Sequence, residues 1–253
     1  MNIGKSDALI VPNGNSSVWR YMDLDKFTRL IQDRSLYFCN AKRLSDQYEV
    51  TIPDSTVQVW RKQLTGQGYS PEEVELEISI RLNGWQYGSM KDLTLINCWS
   101  ISPHESYALW KIYLGNKPEG VAIRSTVGRL RTALRKGKDP HPETLYMGQV
   151  RYRNHLKSDE LSRFSIVTTK KTFYKFEEEL RLFILNYPLS EGGSIPPYDF
   201  TSGRNVNIDL EHLIQRVYVS PFAADVVRKQ VENLLTSARL PLEVIRDSEI
   251  RDK

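Results

Sequence analysis

Residues 176–185 have the sequence FEEELRLFIL, in which charged and apolar side chains alternate after the first glutamates. A repeat of two residues is typical of a β-strand with one buried face, and the sequence predicts such a strand over Glu179–Leu185. The side chains expected to face the core are Leu180, Leu182 and Ile184. The opposite face then carries Glu177, Glu179 and Arg181, because successive side chains of a strand point to opposite sides.

Two carboxylates and one guanidinium on this face permit two interpretations. Glutamates two residues apart on a strand repel each other, so a nearby cation or a ligand hydroxyl is needed to offset that cost. Arg181 is a candidate for that cation. The pattern fits an exposed, charged strand face with an internal ion pair, and it also fits a functional site with perturbed carboxyl groups.

The rest of the chain alternates between strand-like and helix-like segments. Further predicted strands cover residues 18–21, 35–40, 93–102, 120–123, 148–152, 217–221 and 242–245. Predicted helices cover residues 24–31, 71–82, 107–113, 125–135, 159–173 and 222–238, and a predicted loop covers residues 192–197. Asp23 and Ser70 are the expected N-caps of the first two helices. This order predicts one α+β domain over residues 18–253, with mixed or antiparallel sheets and flanking helices, after a polar leader over residues 1–17.

The composition indicates a globular chain without a membrane span. Its 253 residues are 40% hydrophobic and 26% charged, which is enough for a substantial core, and no apolar run approaches the length needed to cross a bilayer. The first residues, MNIGKSDALIVPNG, lack the apolar segment of a signal peptide, so we expect a cytoplasmic protein. Cys39 and Cys98 lie in apolar segments and are expected to be reduced thiols, while the histidines lack the spacing of a zinc site.

Two further segments supply candidate binding groups. Arg20 points away from its neighbours Trp19 and Tyr21 on a predicted strand, and its guanidinium suits a phosphate or a ribose hydroxyl as well as a surface ion pair. In the segment NCWSIS, Ser100 and Ser102 share one strand face. No histidine and acid are arranged to make either serine a nucleophile. We therefore interpret both serines as binding groups.

The formal net charge of +4 permits an anionic partner such as a nucleotide without requiring one. The richest basic segment is Arg124–Lys138, where arginines and lysines accompany leucines. This segment fits a solvated helix face, and it also fits a nucleic-acid-binding patch.

Four segments together resemble a known group of bacterial proteins, the domain-of-unknown-function family 2971. They lie between residues 18 and 185 and read WRYMDLDKFTRLI, LYFCNAKRLSDQYE, CWSISPHESYALWKIYLGNKPEGVAI and K-x-x-x-Y-K-F-E-E-E-L-R. The asparagine-aspartate-proline turn usual in that family is replaced by Ser45-Asp46-Gln47, whereas Glu49 keeps its place. The family has no agreed activity, so the resemblance alone assigns none.

The layout of that family is similar to the ADP-ribosyltransferase fold. Enzymes with that fold place an arginine or histidine on the first strand, a serine or tyrosine on a middle strand, and a glutamate, often the second of Glu-x-Glu, on a later strand. Arg20, Ser100 and Glu179 follow this order, with Glu177 as the earlier carboxylate.

This similarity implies NAD as a substrate and no metal. Arg20 would hold the phosphate or ribose of NAD, and Ser100 would orient the nicotinamide ribose. Glu179 would accept a hydrogen bond from the ribose 2′-hydroxyl and stabilise the positive charge that develops as nicotinamide leaves. Glu177 would orient or deprotonate the acceptor. The rings suited to stacking on nicotinamide are Tyr107 and Trp110. The other implied binding residues are Tyr21, Ser102 and Arg181.

Two other functions fit parts of the sequence. A nucleic-acid-binding protein or metal-dependent nuclease would use Arg20, the basic segment and a divalent metal held by Glu177 and Glu179. A non-enzymatic interaction module would use its aromatic residues only to build a core. Those residues are Trp60, Trp85, Tyr87, Trp99 and Trp110.

The acceptor of an ADP-ribosyl group is left open by the sequence. It is a protein, a nucleic acid, a small molecule, or water in the case of an NAD glycohydrolase. The resemblance further implies a toxin or phage-defence role.

Overall fold

The computed structural model describes residues 1–84, 88, 90–141, 143–157, 160–185 and 202–250. The strands are β1 (Asn2–Ile3), β2 (Ser17–Asp23), β3 (Ser35–Asn40), β4 (Thr94–Ile101), β5 (Gly120–Thr126), β6 (Thr144–Gln149), β7 (Arg151–Tyr152), β8 (Thr169–Lys170), β9 (Glu179–Leu185), β10 (Arg204–Asn207), β11 (Arg216–Val219) and β12 (Ile245–Asp247). The α-helices are α1 (Leu24–Asp33), α2 (Asp54–Gly66), α3 (Pro71–Asn83), α4 (Tyr107–Leu114), α5 (Val127–Lys136), α6 (Arg163–Val167), α7 (Leu210–Leu213) and α8 (Asp225–Ser237). Short 3-10 helices cover Ala41–Arg43, Thr172–Glu177 and Leu242–Val244.

Most of the strands belong to one mixed sheet with the order β1-β6-β9-β4-β2-β5-β11-β12. The inner pairs, from β6 to β11, are antiparallel, and the outermost pairs, β1 with β6 and β11 with β12, are parallel. β7 and β8 form a separate parallel pair. This arrangement confirms the predicted single α+β domain with a mixed sheet and flanking helices.

The sheet branches at β4. One edge of β4 pairs with β9 along the length of both strands. The opposite edge is divided, since β3 pairs with Leu95 and Ile96 near its start and β2 pairs with Ser100 and Ile101 at its end. β2 and β3 therefore diverge beside the middle of β4, and β10 extends the β3 branch.

The main core lies between the sheet and helices α1, α5 and α8. The alternating apolar side chains of β9 enter this core, as predicted, and Leu180, Leu182 and Ile184 are fully buried. Burying one such side chain contributes about 1.5–3 kcal/mol, which explains why the strand follows its two-residue period. Helices α2 and α3 pack on each other through a smaller apolar cluster that includes Trp60.

The predicted helix starts are confirmed at α1 and α3. The Asp23 side chain accepts a hydrogen bond from the Lys26 backbone N–H at 2.8 Å. Ser70 and Glu73 form a reciprocal capping box at the start of α3. Because such caps satisfy backbone donors that lack a partner within the helix, each is expected to contribute about 0.5–2 kcal/mol.

Several predicted boundaries differ from the structure. The strand expected at residues 148–152 is divided between β6 and β7, and the helix expected at residues 159–173 is largely replaced by α6, β8 and the start of a 3-10 helix. The parallel pairing of β8 with β7 keeps Thr169 and Lys170 extended, so tertiary contacts override the local helical pattern. The last predicted strand begins as the 3-10 helix Leu242–Val244 and continues as β12.

Some predictions fall on residues outside the described ranges or within the predicted leader. The loop predicted at residues 192–197, and the aromatics Trp85 and Tyr87, lie outside the described residues. Within the predicted leader, β1 joins the sheet beside β6. Across the described ranges, no helix has both the length and the apolar character needed to cross a membrane.

Candidate active site

Glu177 and Glu179 lie in different elements at the start of β9. Glu177 ends the 3-10 helix Thr172–Glu177, and Glu178 has a left-handed backbone with a φ of 42°. The chain turns at this residue, and the strand begins only at Glu179. The prediction that Glu177 shares a strand face with Glu179 and Arg181 is therefore wrong, although contacts made through other residues bring the two carboxylates together.

Arg181 is the centre of a buried ionic cluster. Its Nε donates to Glu179 Oε1 at 2.7 Å, and its Nη2 donates to Glu179 Oε2 at 3.0 Å. Nη2 also donates to the Glu49 carboxylate, and Nη1 donates to the Val167 carbonyl at 2.8 Å. Arg181 is fully buried, so the interpretation of an exposed charged strand face is wrong.

Lys170 extends the cluster to Glu177. Its Nζ lies 3.0 Å from Glu49 Oε1, 2.6 Å from Glu177 Oε2 and 3.7 Å from Glu179 Oε2. The cluster therefore contains three carboxylates and two cations, namely Glu49, Glu177, Glu179, Lys170 and Arg181. Buried charges of this kind are tolerated only when they are paired and hydrogen-bonded.

The two glutamates of the predicted site have opposite pKa shifts. Burial disfavours ionisation of Glu179, but the charge and hydrogen bonds of Arg181 outweigh it and lower the pKa of Glu179 to about 2. Burial raises the pKa of Glu177, and the hydrogen bond and charge of Lys170 only partly oppose that shift. A pair of carboxyl groups with diverging pKa values is a common arrangement of acid–base sites.

Exposure also differs between these two side chains. Glu179 is only 3% exposed, and its backbone N–H donates to the Tyr152 hydroxyl at 2.8 Å. The side chain of Glu177 is 16% exposed. Glu177 therefore lies at the accessible border of the cluster, and Glu179 lies at its base.

The predicted serines have separate roles in the structure. Ser100 is buried on β4 and is the direct register partner of Glu179 on β9. Ser102 follows the end of β4, where its hydroxyl donates to the His104 carbonyl at 2.6 Å. Ser102 therefore stabilises a turn instead of sharing a strand face with Ser100. Cys98 lies two residues before Ser100 on β4, where burial raises the pKa of its thiol and the charge of Glu179 adds to that shift.

The predicted aromatic residues are mostly used within the protein. Tyr21 is buried, and its hydroxyl accepts a hydrogen bond from the Ser106 backbone N–H at 2.7 Å. Trp110 is fully buried and donates from Nε1 to Glu105 at 3.0 Å. Stacking of Trp110 on a ligand does not fit this burial. Tyr107 is 55% exposed, with its ring packed edge-on against Phe222.

Arg20 lies where β2 and β4 diverge. Its guanidinium carbon is 5.9 Å from the centre of the Trp99 ring, and its buried Nη1 has no hydrogen-bond partner among the described residues. Burial lowers the pKa of Arg20, against the electrostatic influence of Cys98 and Tyr113. A buried guanidinium nitrogen without a partner is costly, so this position favours an additional acceptor.

Sequence reasoning missed three members of the site. Lys170 and Tyr152 carried no signal beyond the presence of a lysine and a tyrosine, while Glu49 was marked only by its place in the family pattern. Tyr113, which was predicted only as part of the helix at residues 107–113, is 45% exposed. Burial raises the pKa of the Tyr113 hydroxyl, and the negative charges of Glu179 and Glu177 add to that shift.

A cleft of about 120 Å³ opens beside the ionic cluster, and its walls include Asp46, Tyr48, Glu49, Arg153 and Lys170. Across the described ranges, no group of three or more histidines, cysteines, aspartates or glutamates is placed to hold a metal ion. The carboxylates that a metal would need are instead bound by Lys170 and Arg181.

Comparisons with known proteins give only remote similarity. No family model matches the chain, so its resemblance to domain-of-unknown-function family 2971 stays a prediction, and no curated protein matches it. Similar solved structures include three complexes of DarT from Thermus sp. 2.9, with ADP-ribosylated ssDNA, with NAD+ and with carba-NAD+. Their sequence identities are 10%, 9% and 8%, and their TM-scores are 0.38, 0.38 and 0.36. The matches cover 94%, 94% and 93% of this chain and 100%, 96% and 100% of the DarT chains. Similarity at this level carries no conclusion about activity, which depends on the chemistry of the site itself.

Proposed function

We propose that the chain is an NAD-dependent enzyme of the ADP-ribosyltransferase type, which transfers ADP-ribose to an acceptor or to water. The supporting observation is a buried carboxylate, Glu179, that stays ionised beside a second carboxyl, Glu177, with a raised pKa. Departure of nicotinamide leaves positive charge on the ribose. A preorganised carboxylate in a water-poor site stabilises such charge more strongly than water does.

The two glutamates would divide the work. Glu179 keeps its negative charge because Arg181 donates to both of its oxygens and Lys170 adds a second positive charge. A carboxylate oxygen accepts more than one hydrogen bond, so Glu179 would also accept one from a ribose hydroxyl. Glu177 is more accessible, and a raised pKa makes it a better proton acceptor than an ordinary glutamate. In this proposal Glu177 takes the proton of the attacking acceptor.

Several neighbouring groups fit a nucleotide. The unpartnered Nη1 of Arg20 suits a phosphate or ribose oxygen. Ser100 lies directly opposite Glu179 and suits the same ribose. The exposed ring of Tyr113, whose centre is 6.3 Å from that of Tyr21, replaces Trp110 as the proposed stacking group.

The two rival functions have less support from the described residues. A metal-dependent nuclease needs free carboxylates, whereas Lys170 and Arg181 bind those of Glu177 and Glu179. An interaction module gives no reason for the partnerless guanidinium nitrogen of Arg20 or for the diverging pKa values of the two glutamates.

The first experiment measures thermal melting with and without millimolar NAD, together with nicotinamide release. NAD at about 100 times its dissociation constant should stabilise the fold by about 2.7 kcal/mol. A raised melting temperature with nicotinamide release supports the proposal. Absence of both would contradict it and favour a nucleic-acid-binding or protein-binding role.

A matched pair of variants then tests the acid–base role. Glu177→Gln should lower the rate of ADP-ribose transfer to an acceptor by about 10²–10⁴-fold, the usual contribution of a positioned acid–base group. Glu178→Gln removes the same charge from the neighbouring exposed side chain and should leave the rate unchanged. Equal rates in the two variants would show that Glu177 has no such role.

The acceptor is the finer part of the proposal. Incubation with labelled NAD, followed by separation of protein, nucleic acid and free ADP-ribose, identifies which of them receives the label. A toxin or phage-defence role belongs to the same proposal, and it requires transfer to a cellular acceptor or depletion of NAD.

A further inference from the structure

Three arginines lie close together near one end of the sheet. Arg124 is on β5, Arg216 begins β11, and Arg129 is in the first turns of α5. Arg124 and Arg216 are direct partners in the antiparallel pair of β5 and β11. Like charges placed opposite each other on neighbouring strands destabilise a sheet, so this arrangement carries a cost that something has to offset.

No carboxylate offsets the repulsion between these arginines within the described part of the chain, where none of the three forms an ion pair. Arg124 donates to the Ser17 hydroxyl at 3.2 Å. Arg129 donates to the carbonyl oxygens of Glu211 and Ile214 at 2.6 and 3.0 Å, and Arg216 donates to the carbonyl of its neighbour at 2.8 Å. All of these acceptors are neutral.

Some donors of the cluster have no acceptor at all. The Nε atoms of Arg124 and Arg129 are buried without a hydrogen-bond partner among the described residues. Burial and the charge of Arg216 lower the pKa of Arg129. Two other enclosed arginines are neutralised within the protein, since Arg181 pairs with two glutamates and Arg204 pairs with Asp139 and Glu143. The three-arginine cluster is thus prepared for an anion that the described residues do not supply.

The position of the cluster connects it to the candidate active site. Direct register partners across five neighbouring strands form a row, which runs Glu179, Ser100, Trp19, Arg124, Arg216. With neighbouring strands about 4.8 Å apart, Arg124 lies about 14 Å from Glu179. The row follows the end of the sheet, because β9 and β11 begin there and β4 ends there. A ligand bound both at Glu179 and at the arginines would therefore follow this end of the sheet.

We propose that Arg124, Arg129 and Arg216 bind the diphosphate group of a dinucleotide whose ribose lies at Glu179. Guanidinium groups bind phosphate oxygens with paired, charge-assisted hydrogen bonds, and a diphosphate supplies the negative charge that the cluster lacks. The Trp19 ring, 5.6 Å from the Arg124 guanidinium carbon, holds that side chain in place by a cation–π contact. The shared ligand depends on the proposed function, whereas the phosphate site itself does not.

The test compares Arg216→Gln with Arg246→Gln, which removes the same charge from an exposed arginine on the adjacent strand β12. The probes are inorganic pyrophosphate and ADP, with adenosine as an uncharged control, in a binding titration by calorimetry. Arg216→Gln should weaken binding of pyrophosphate and ADP by about tenfold or more, since hydrogen bonds to charged groups are lost. Arg246→Gln and the wild type should bind both probes equally.

Stability separates a binding defect from a folding defect. Arg216→Gln removes one of two opposed like charges, so its melting temperature without ligand should equal or exceed that of the wild type. Unchanged affinity of Arg216→Gln for both pyrophosphate and ADP would overturn the proposal. So would a wild type that binds single-stranded oligonucleotide through Arg216 but binds neither small probe, because the phosphates would then come from a nucleic-acid backbone.

The enzyme reaction distinguishes this proposal from the proposed function. If the wild type releases nicotinamide and Arg216→Gln raises KM for NAD with little change in kcat, the proposed function and the diphosphate site are both supported. If nicotinamide is released with an unchanged KM in Arg216→Gln, the diphosphate site fails and the function stands. If the wild type releases none, yet Arg216→Gln loses pyrophosphate binding, the function fails and the phosphate site stands.

Discussion

Glu179 and Glu177 differ in the number of contacts that depend on their charge. Glu179 binds the fully buried Arg181 through two hydrogen bonds, whereas Glu177 makes one contact with Lys170 and is itself partly exposed. Arg181 and Lys170 each keep Glu49 as another partner. Removing one partner of a buried ion pair leaves the other charge uncompensated. The two substitutions are therefore expected to differ in stability, although both remove one carboxylate from the same cluster.

Glu179→Gln is expected to lower the free energy of unfolding by about 3 kcal/mol, the lower end of the range for breaking a buried pair. Glu177→Gln should cost less than about 1 kcal/mol, because its side chain is partly exposed and screened. Urea denaturation of the two variants beside Glu178→Gln provides the comparison. Equal losses for Glu177→Gln and Glu179→Gln would contradict the assignment of Arg181 as the dependent cation.

At the scale of the element, the branch of the sheet depends on Asn97. This buried side chain donates from Nδ2 to the Tyr37 carbonyl of β3 at 2.8 Å and accepts from Trp99 Nε1 at 2.8 Å. It therefore satisfies two polar groups at the point where β2 and β3 diverge.

Asn97→Leu is expected to lower the free energy of unfolding by about 2–5 kcal/mol, because each buried group left unsatisfied costs about 1–3 kcal/mol. Asn205→Leu, on the exposed side of β10, is the matched control and should change stability by less than about 0.5 kcal/mol. Chemical denaturation measures both. A loss in Asn97→Leu no larger than in the control would show that the branch does not need this bridge.

Several element boundaries could be predicted from the sequence. The bounds of β9 follow from its two-residue period, and the starts of α1 and α3 follow from their capping residues. The helix expected at residues 159–173 was wrong because β8 pairs with β7, and a local pattern does not contain that partner. The left-handed turn at Glu178 also has no signal in sequence, since the residue is not glycine.

For the whole molecule, long-range pairing decides the site. Ser100 was expected near Glu179 from the order of motifs, and the register of β4 and β9 places them directly opposite each other. Glu49 and Lys170 come from distant segments that no periodicity connects to β9. Repulsion between the two glutamates predicted a nearby cation, and Arg181 was the candidate. The sequence did not indicate that Lys170 would supply a second positive charge.

The pH dependence of stability is also a property of the whole fold. The pKa of Glu179 falls from 4.5 to about 2 on folding, so the unfolded chain binds the proton more readily between these values. Its contribution is complete above about pH 4.5 and is lost as the pH falls towards 2, with a magnitude of about 3 kcal/mol. Urea denaturation from pH 6 to 2.5 should show the stability difference between wild type and Glu179→Gln shrinking with acidification. A difference that stays constant would contradict the low pKa.

The contact between Arg181 and Glu49 joins residues 132 positions apart. During synthesis, the early segment that carries Glu49 is made long before Arg181 exists, and until they meet neither Glu179 nor Lys170 has its final charge environment. The electrostatic environment of the ionic cluster is therefore absent from a growing or partly opened chain and arises only in the complete tertiary structure. The proposed activity would consequently depend on the completion of folding.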